Sequence, residues 1–157
     1  MIIKELIIKN FRSYYGECKF DFSNGLTLII GDNGDGKSTF FEALKWLLDT
    51  SQENASIDNA SEMRKSKMEV GDTDIVSVSM TFDHDGEKSV EKSFVVECID
   101  SGFRTYGFSF RGYETTGIER VQVVVKILWT DVLMHLSNDS ACLRVKPLSM
   151  YLITQQL

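Results

Sequence analysis

The glycine and lysine spacing over eight residues limits the fold of this chain more than any other feature. Residues 31 to 38 read Gly31-Asp32-Asn33-Gly34-Asp35-Gly36-Lys37-Ser38, which matches the pattern G-x-x-x-x-G-K-[ST]. At average residue frequencies, a chain of 157 residues shows this pattern by chance in well under about one case in a hundred. Ahead of it, "LTLIIG" over residues 26 to 31 is a short continuous apolar run of the kind buried on both faces of a sheet, and it predicts a central strand. Behind it, from about Lys37 to Asp49, Glu42, Lys45 and Asp49 fall on one polar stripe at helical spacing. Phe40, Phe41, Ala43, Leu44, Trp46, Leu47 and Leu48 cover nearly everything else, which predicts a helix packed on most sides. A strand that feeds a glycine-rich turn and then a helix is the context in which the pattern has a chemical meaning.

That meaning is anion binding. Successive backbone N–H groups and the helix N-terminus, worth about half a positive charge, hold a polyphosphate. Lys37 reaches the outer phosphates and the Ser38 hydroxyl ligates Mg²⁺. Gly34 and Gly36 supply the backbone freedom of the loop. Thr39 either touches an inner phosphate or serves as a small residue in the first helical turn. The carboxylates of Asp32 and Asp35 oppose such a ligand, so these side chains are expected to point away from it, toward solvent or a partner subunit. The nucleotide-binding set in the loop is therefore Asn33, Gly34, Asp35, Gly36, Lys37, Ser38 and Thr39.

The flanking sequence reads as mostly β. Ile2, Ile3, Leu6, Ile7 and Ile8 make an opening strand, "NFRSYYG" turns, and "ECKFDF" makes a second strand. Asn24-Gly25 marks a tight hairpin turn into the apolar run. Residues 50 to 73 are polar and predict an exposed loop or insertion, with room for a short helix. From Asp74 to about residue 113 the pattern alternates, turning at Asp85-Gly86 and again at Ser101-Gly102, which predicts an antiparallel meander. Residues 119 to 136 are ambiguous between helix and strand, and "LSMYLITQQL" reads as a terminal strand. The whole chain, 1 to 157, is read as a single domain.

Composition limits the partners. A formal net charge of −6 excludes a whole-surface grip on nucleic acid. The basic cluster Arg64, Lys65 and Lys67 is interleaved with Glu62 and Glu69 and reads as a solvated loop. Cys18, Cys98 and Cys142 are an odd number without C-x-x-C spacing, so neither a disulfide framework nor a zinc site is expected, and a reducing cytoplasm is. His84 and His135 are isolated and carry no expectation of a metal. Charges at Lys4, Glu5 and Lys9 break up the opening apolar run, so it is not a secretory signal, and no run of about 18 apolar residues is present to span a membrane.

"IKNFRSYYG", about twenty residues ahead of "GDNGDGKS", resembles the start of the SMC/RecF-type ABC ATPase heads of chromosome maintenance and DNA repair. Asn33 and the "FEALKWLL" helix fit that family too, and the strand set "VSVSMTFDHDGEKSVEKSF" after an exposed insertion most resembles its double-strand-break repair branch and the DNA sulfur-modification ATPase DndD. The resemblance implies an α/β P-loop NTPase lobe of ABC type, with a mixed sheet, one phosphate-loop helix and an antiparallel β meander. It implies ATP and Mg²⁺ as ligands, and it puts Arg12 and Ser13 beside the nucleotide. It also implies a lid glutamine at a strand end, orienting Mg²⁺ and the attacking water, for which Gln155 or Gln156 stands in the right region. Lys37 and Gln155 are then the catalytic candidates, with Ser38 and Gln155 on the metal.

Departures from the family pattern bear on activity. A complete head has a second lobe with an LSGG-type signature, an apolar run ending in Asp-Glu, and a switch histidine, none of which occurs in these 157 residues. "ILWTDV" imitates the apolar run, but after Asp131 it has Val132 in place of the glutamate. The resemblance therefore implies the N-terminal half of a head, inactive alone, whose partners are a C-terminal lobe, a second head in an ATP-dependent dimer and, by resemblance only, DNA. It implies a cytoplasmic, nucleoid-associated setting. Two other readings stay open. A Ras-like GTPase would use the D-x-x-G at Asp83-His84-Asp85-Gly86, although no N-K-x-D occurs, and a non-catalytic module would bind nucleotide or a partner without turnover.

Overall fold

The alternating stretches of the sequence form one antiparallel sheet, described in a computed structural model over residues 2–25, 27–49, 55–114, 142–145 and 150–153. The sheet has five strands: β1 (Ile2–Lys9), β2 (Glu17–Asp21), β3 (Thr73–Asp83), β4 (Glu87–Ile99) and β5 (Gly102–Glu114), in the order β2-β1-β3-β4-β5. A side-chain period of two puts Val76, Val78, Met80 and Phe82 of β3 on one buried face, with Val90, Phe94 and Val96 of β4 beside them. β1 adds Ile3, Leu6 and Ile8 to the same core. Ile3 and Leu6 have opposite parity, and the register shift between Ile3 and Glu5 in the β1–β3 ladder is the irregularity that lets both turn inward.

The β3–β4 turn is where the sequence puts it. Asp85 and Gly86 both adopt positive φ, 54° and 111°, which an Asp-Gly pair tolerates and most residues do not. The β4–β5 connection pairs Ile99 with Gly102, so Asp100 and Ser101 close it, again at the expected place.

One helix covers the apolar face. α1 (Lys37–Leu48) lies against β3 and β4 and buries Phe40, Ala43, Leu44, Trp46, Leu47 and Leu48, while Glu42 and Lys45 stay exposed. Its aromatic residues tie the layers together: Trp46 has ring-centroid distances of 5.4 Å to Phe11 and 6.0 Å to Phe94, and Phe40 lies 5.1 Å from Phe20.

Three expectations are corrected. Residues 27 to 31 join no ladder, and Leu28 and Ile30 are 51% and 80% exposed, so the central strand is absent among the described residues. A strand buried on both faces needs neighbours on either side, and no described strand pairs with this run. With it go the Asn24-Gly25 hairpin and the mixed sheet, since every described strand pair is antiparallel. Residues 55 to 73 are exposed over much of their length and carry a short helix, and they are also docked on the sheet's turn. A 3₁₀ turn at Ile57–Asn59 and α2 (Glu62–Lys65) carry Asn59, Ala60, Ser61 and Met68 into buried positions. Backbone bonds hold them, with Arg12 N–H donating to Asn59 O at 2.9 Å and Ser61 N–H to Asn10 O at 2.8 Å. Backbone pairing of this kind leaves no mark on composition.

A separate antiparallel pair is formed by β6 (Cys142–Val145) and β7 (Met150–Ile153), the latter within the expected terminal strand. Gln155, Gln156, Asp131, Val132, His135 and the ambiguous stretch 119 to 136 lie outside the described residues.

Because Leu47 is fully buried between α1 and the sheet, Leu47→Ala should cost about 2–5 kcal/mol of stability. Urea unfolding followed by tryptophan fluorescence measures this, and a loss below about 1 kcal/mol would show that α1 does not pack as described.

Candidate functional site

The loop before α1 is shaped by two left-handed glycines. Gly34 has φ 101°, and Gly36, the residue that caps the helix, has φ 88° and ψ 12°. Glycine at position 36 also answers to space, because a Cβ there would sit 3.1 Å from Ser13 Oγ and 3.4 Å from Tyr14 Cζ. The first helical bond runs from Phe40 N–H to Gly36 O at 2.9 Å. No side chain caps the helix start, and its first turn has no acidic residue. An α-helix begins with N–H groups that have no partner within it, so α1 presents an uncapped, electropositive end to the loop.

Lys37 folds back over this end. Its ammonium donates to Gly31 O and, at 2.7 Å, to Asp32 O. The β1–β2 turn supplies the other wall. Ser13 Oγ donates to Thr39 Oγ1 at 2.9 Å, and Tyr14 OH donates to Gly36 O at 3.2 Å. Burial pushes the Tyr14 phenol above its ordinary pKa, with a smaller push from Cys18, so it remains a donor. The turn is held by Asn10, whose Oδ1 accepts from Gly16 N–H at 2.9 Å and whose Nδ2 donates to Ile75 O at 3.1 Å.

The predicted residues separate into three groups. Ser13, Gly36, Lys37 and Thr39 are brought together at the head of α1. Asn33, Gly34 and Ser38 lie exposed along the loop and the first helical turn. Arg12, with φ 48°, is drawn to one side: its Nη1 pairs with Glu42 Oε2 at 2.6 Å and its Nε donates to Asn59 Oδ1 at 3.1 Å. Tyr14 and Asn10 were not singled out in the sequence. The aromatic residue directly after Ser13, and an asparagine at the end of a strand where left-handed backbone is common, were the available signals.

Asp35 departs from expectation. The residue is exposed, but its Oδ2 turns back on the loop to accept from Asp32 N–H at 2.6 Å, and a Cβ at Gly31 would come 3.0 Å from the same oxygen. A carboxylate free to reach an electropositive loop satisfies one of its amides. Asp32 itself is exposed, as expected. Among the described residues, no three His, Cys, Asp or Glu side chains converge on a cation position. A cation here would therefore rest on the Ser38 hydroxyl and on phosphate oxygens, the donor set a hard, water-retaining ion such as Mg²⁺ accepts.

Known proteins are similar to this chain in sequence and in fold. The chromosome partition protein Smc of Rhodopirellula baltica is 40% identical over 47 residues, 30% of this chain and 4% of that protein. The DNA double-strand break repair Rad50 ATPase of Thermococcus kodakarensis is 54% identical over 44 residues, 28% of this chain and 5% of that protein. The matches thus span only 4–5% of the length of these relatives. A solved structure described as "Structural biochemistry of ATP-driven dimerization and DNA stimulated activation of SMC ATPases" superposes with a TM-score of 0.53 at 22% identity, covering 83% of this chain and 78% of that one, which is a likeness of fold. The resemblance to SMC/RecF-type heads read from the sequence is found in these comparisons, and with the profile of the AAA domain family matching residues 5–135, the chain belongs to that family.

Proposed function

We propose that the chain is one lobe of a chromosome-maintenance or DNA-repair type ATPase head and that its loop at residues 31 to 38 holds Mg²⁺-ATP. The observation that carries this reading is the uncapped start of α1, with Lys37 beside it. Lys37 donates to the carbonyls of Gly31 and Asp32, and an outer phosphate would offer it a charged acceptor instead. The N–H groups around Gly34, Gly36, Lys37 and Ser38 take the inner phosphates. Ser38 holds Mg²⁺, which supplies charge neutralisation on the phosphate oxygens. Thr39, already bonded to Ser13, keeps the β1–β2 turn against the site. Arg12 acts on the turn through Glu42 and Asn59 and reaches the nucleotide's edge only by leaving Glu42.

Hydrolysis belongs to an assembled head. Phosphoryl transfer to water needs a positioned water as well as stabilised charge, and neither the Asp-Glu pair nor the signature segment occurs in the 157 residues. The exposed Leu28 and Ile30 support a C-terminal lobe as partner, since strands laid beside residues 27 to 31 would bury them. A second head pairing across the nucleotide follows from the same reading. So does contact with DNA in the assembly rather than on this lobe, where Arg64 pairs with Asp74, Lys65 with Glu62, and Lys67 lies 4.3 Å over the Tyr15 ring. The setting is the cytoplasm, and no described helix is long and apolar enough to cross a membrane. The GTPase alternative loses support because Asp83 to Gly86 form the β3–β4 turn, with Gly86 N–H donating to Asp83 Oδ1 at 3.3 Å.

Three expected outcomes test the proposal. Lys37→Ala removes charge-assisted bonds worth about 1.5–3 kcal/mol, so Mg²⁺-ATP affinity should fall by roughly one to two orders of magnitude with the fold intact. Unchanged affinity by titration calorimetry would take Lys37 out of the site. Asp35→Ala frees the Asp32 amide and removes a negative charge from the loop, so affinity should rise by about threefold to tenfold, while Asp32→Ala changes little. A loss of affinity in Asp35→Ala would mean that the carboxylate supports the bound state. The chain alone should hydrolyse ATP far below about 1 s⁻¹ and remain monomeric with nucleotide. Adding a matching C-terminal lobe should bring turnover and ATP-dependent pairing together, and ordinary turnover by the chain alone, abolished in Lys37→Ala, would place the catalytic carboxylate within it.

A further inference from the structure

β4 has a lysine where its alternation calls for an apolar side chain. Lys92, between the buried Val90 and Phe94, is itself 1% exposed. Its ammonium turns to the far end of α1, donating to Trp46 O at 2.8 Å and Asp49 O at 2.6 Å. It also lies 5.1 Å from the Trp46 ring centroid, 5.8 Å from that of Phe108 and 5.2 Å from that of Phe110. The last carbonyls of a helix lack partners within it and form its negative end, so a caged cation there satisfies both needs.

We propose that Lys92 is a positioning residue for the phosphate loop. Apolar burial holds α1 on the sheet but is non-directional and tolerates small rotations and slides. The two bonds from Lys92 fix the rotation and axial position of the helix at its C-terminal end. The helix of 12 residues, about 18 Å long, carries that placement to the N–H groups at residues 36 to 39. The inference rests on reading those groups as the nucleotide site.

The surroundings of Lys92 give the role a pH signature. From α1 it faces Asp49, from β3 its cross-strand partner Val78, and from β5 Phe108 and Phe110. Along β4 its same-face neighbours are Val90 and Phe94. Lys88, further along that face, turns its ammonium to His84 O at 2.7 Å. Burial lowers the pKa of Lys92 from 10.5 to about 8, against the opposing pull of Asp49. With the folded value below the unfolded one, stability from this group is fully present above pH 10.5 and is lost as pH falls through about 8. Raising the pH through this window therefore stabilises the fold through Lys92 while it discharges the ammonium that grips the helix. Affinity and stability move in opposite directions, which a merely structural lysine would not produce.

The experiment uses the full chain, with Mg²⁺-ATP calorimetry and thermal melts at about pH 7 and about pH 9.5, and amide hydrogen exchange, on wild type, Lys92→Met and Lys92→Arg. Wild-type affinity should fall by about threefold to tenfold at the higher pH. Lys92→Met should show the weakened affinity already at the lower pH, without the fall, and Lys92→Arg should bind alike at both. Exchange at residues 40 to 43, the first hydrogen-bonded amides of α1, should quicken in Lys92→Met along with that at 46 to 49. A folded Lys92→Met with wild-type affinity and wild-type exchange at 40 to 43 overturns the proposal. So does a wild-type affinity that does not fall at the higher pH, a result that stands even where Lys92→Met fails to fold. If wild type binds no ATP at all, the nucleotide reading fails, and exchange at 40 to 43 alone decides the role of Lys92.

Discussion

The face of α1 buried on β3 and β4 is the constraint on which the loop depends. Residues 31 to 36 have three glycines, two aspartates and an asparagine, none of which can contribute to a core. Their geometry is therefore imposed from outside, by a helix whose larger rolls would expose Phe40, Ala43, Leu44 or Leu47. Interiors packed at crystal-like density resist such movement. The aromatic contacts of Trp46 with Phe11 and Phe94 add directional preference to that burial.

A second support comes from the β1–β2 turn. Asn10 and Arg12 adopt positive φ, 51° and 48°, a conformation uncommon in non-glycine residues. The turn persists because Asn10 is bonded on both sides, to Gly16 and to Ile75, and because Ser61 N–H closes onto its carbonyl. This is what brings Ser13 and Tyr14 to the head of α1. The docked segment at residues 55 to 68 thus braces the turn that walls the loop, a role that reading it as an exposed insertion does not foresee.

What was legible in the sequence was local. The α1 periodicity, the Asp85-Gly86 turn and the alternation of β3 and β4 each depend on residues close in the chain, and each was found. The run at 27 to 31 joins no described strand, since its apolar character specifies that it be covered and leaves open by what, and pairing partners are non-local. Asp35 was misread for a subtler reason. The pattern places it at a variable position, but the direction of its side chain depends on the backbone of a three-residue arc, where Asp32 N–H lies within its reach. Lys92 interrupts the alternation of β4 at an inward position, and only the approach of the α1 C-terminus gives it a partner.

The charges at the two ends of α1 are unequal in kind. At its C-terminus, Lys92 meets the negative end of the helix dipole and is satisfied within the fold. At its N-terminus, Lys37 adds a positive charge to an end that is already positive, and its ammonium meets the carbonyls of Gly31 and Asp32. The helix is thus electrostatically settled far from the loop and unsettled beside it. On the proposed reading, a polyphosphate would relieve that imbalance by meeting Lys37 and the first amides at once. The two aspartates do not contradict the anion-binding pattern. Asp32 stays in solvent, where its field is screened, and Asp35 accepts from one loop amide, that of Asp32.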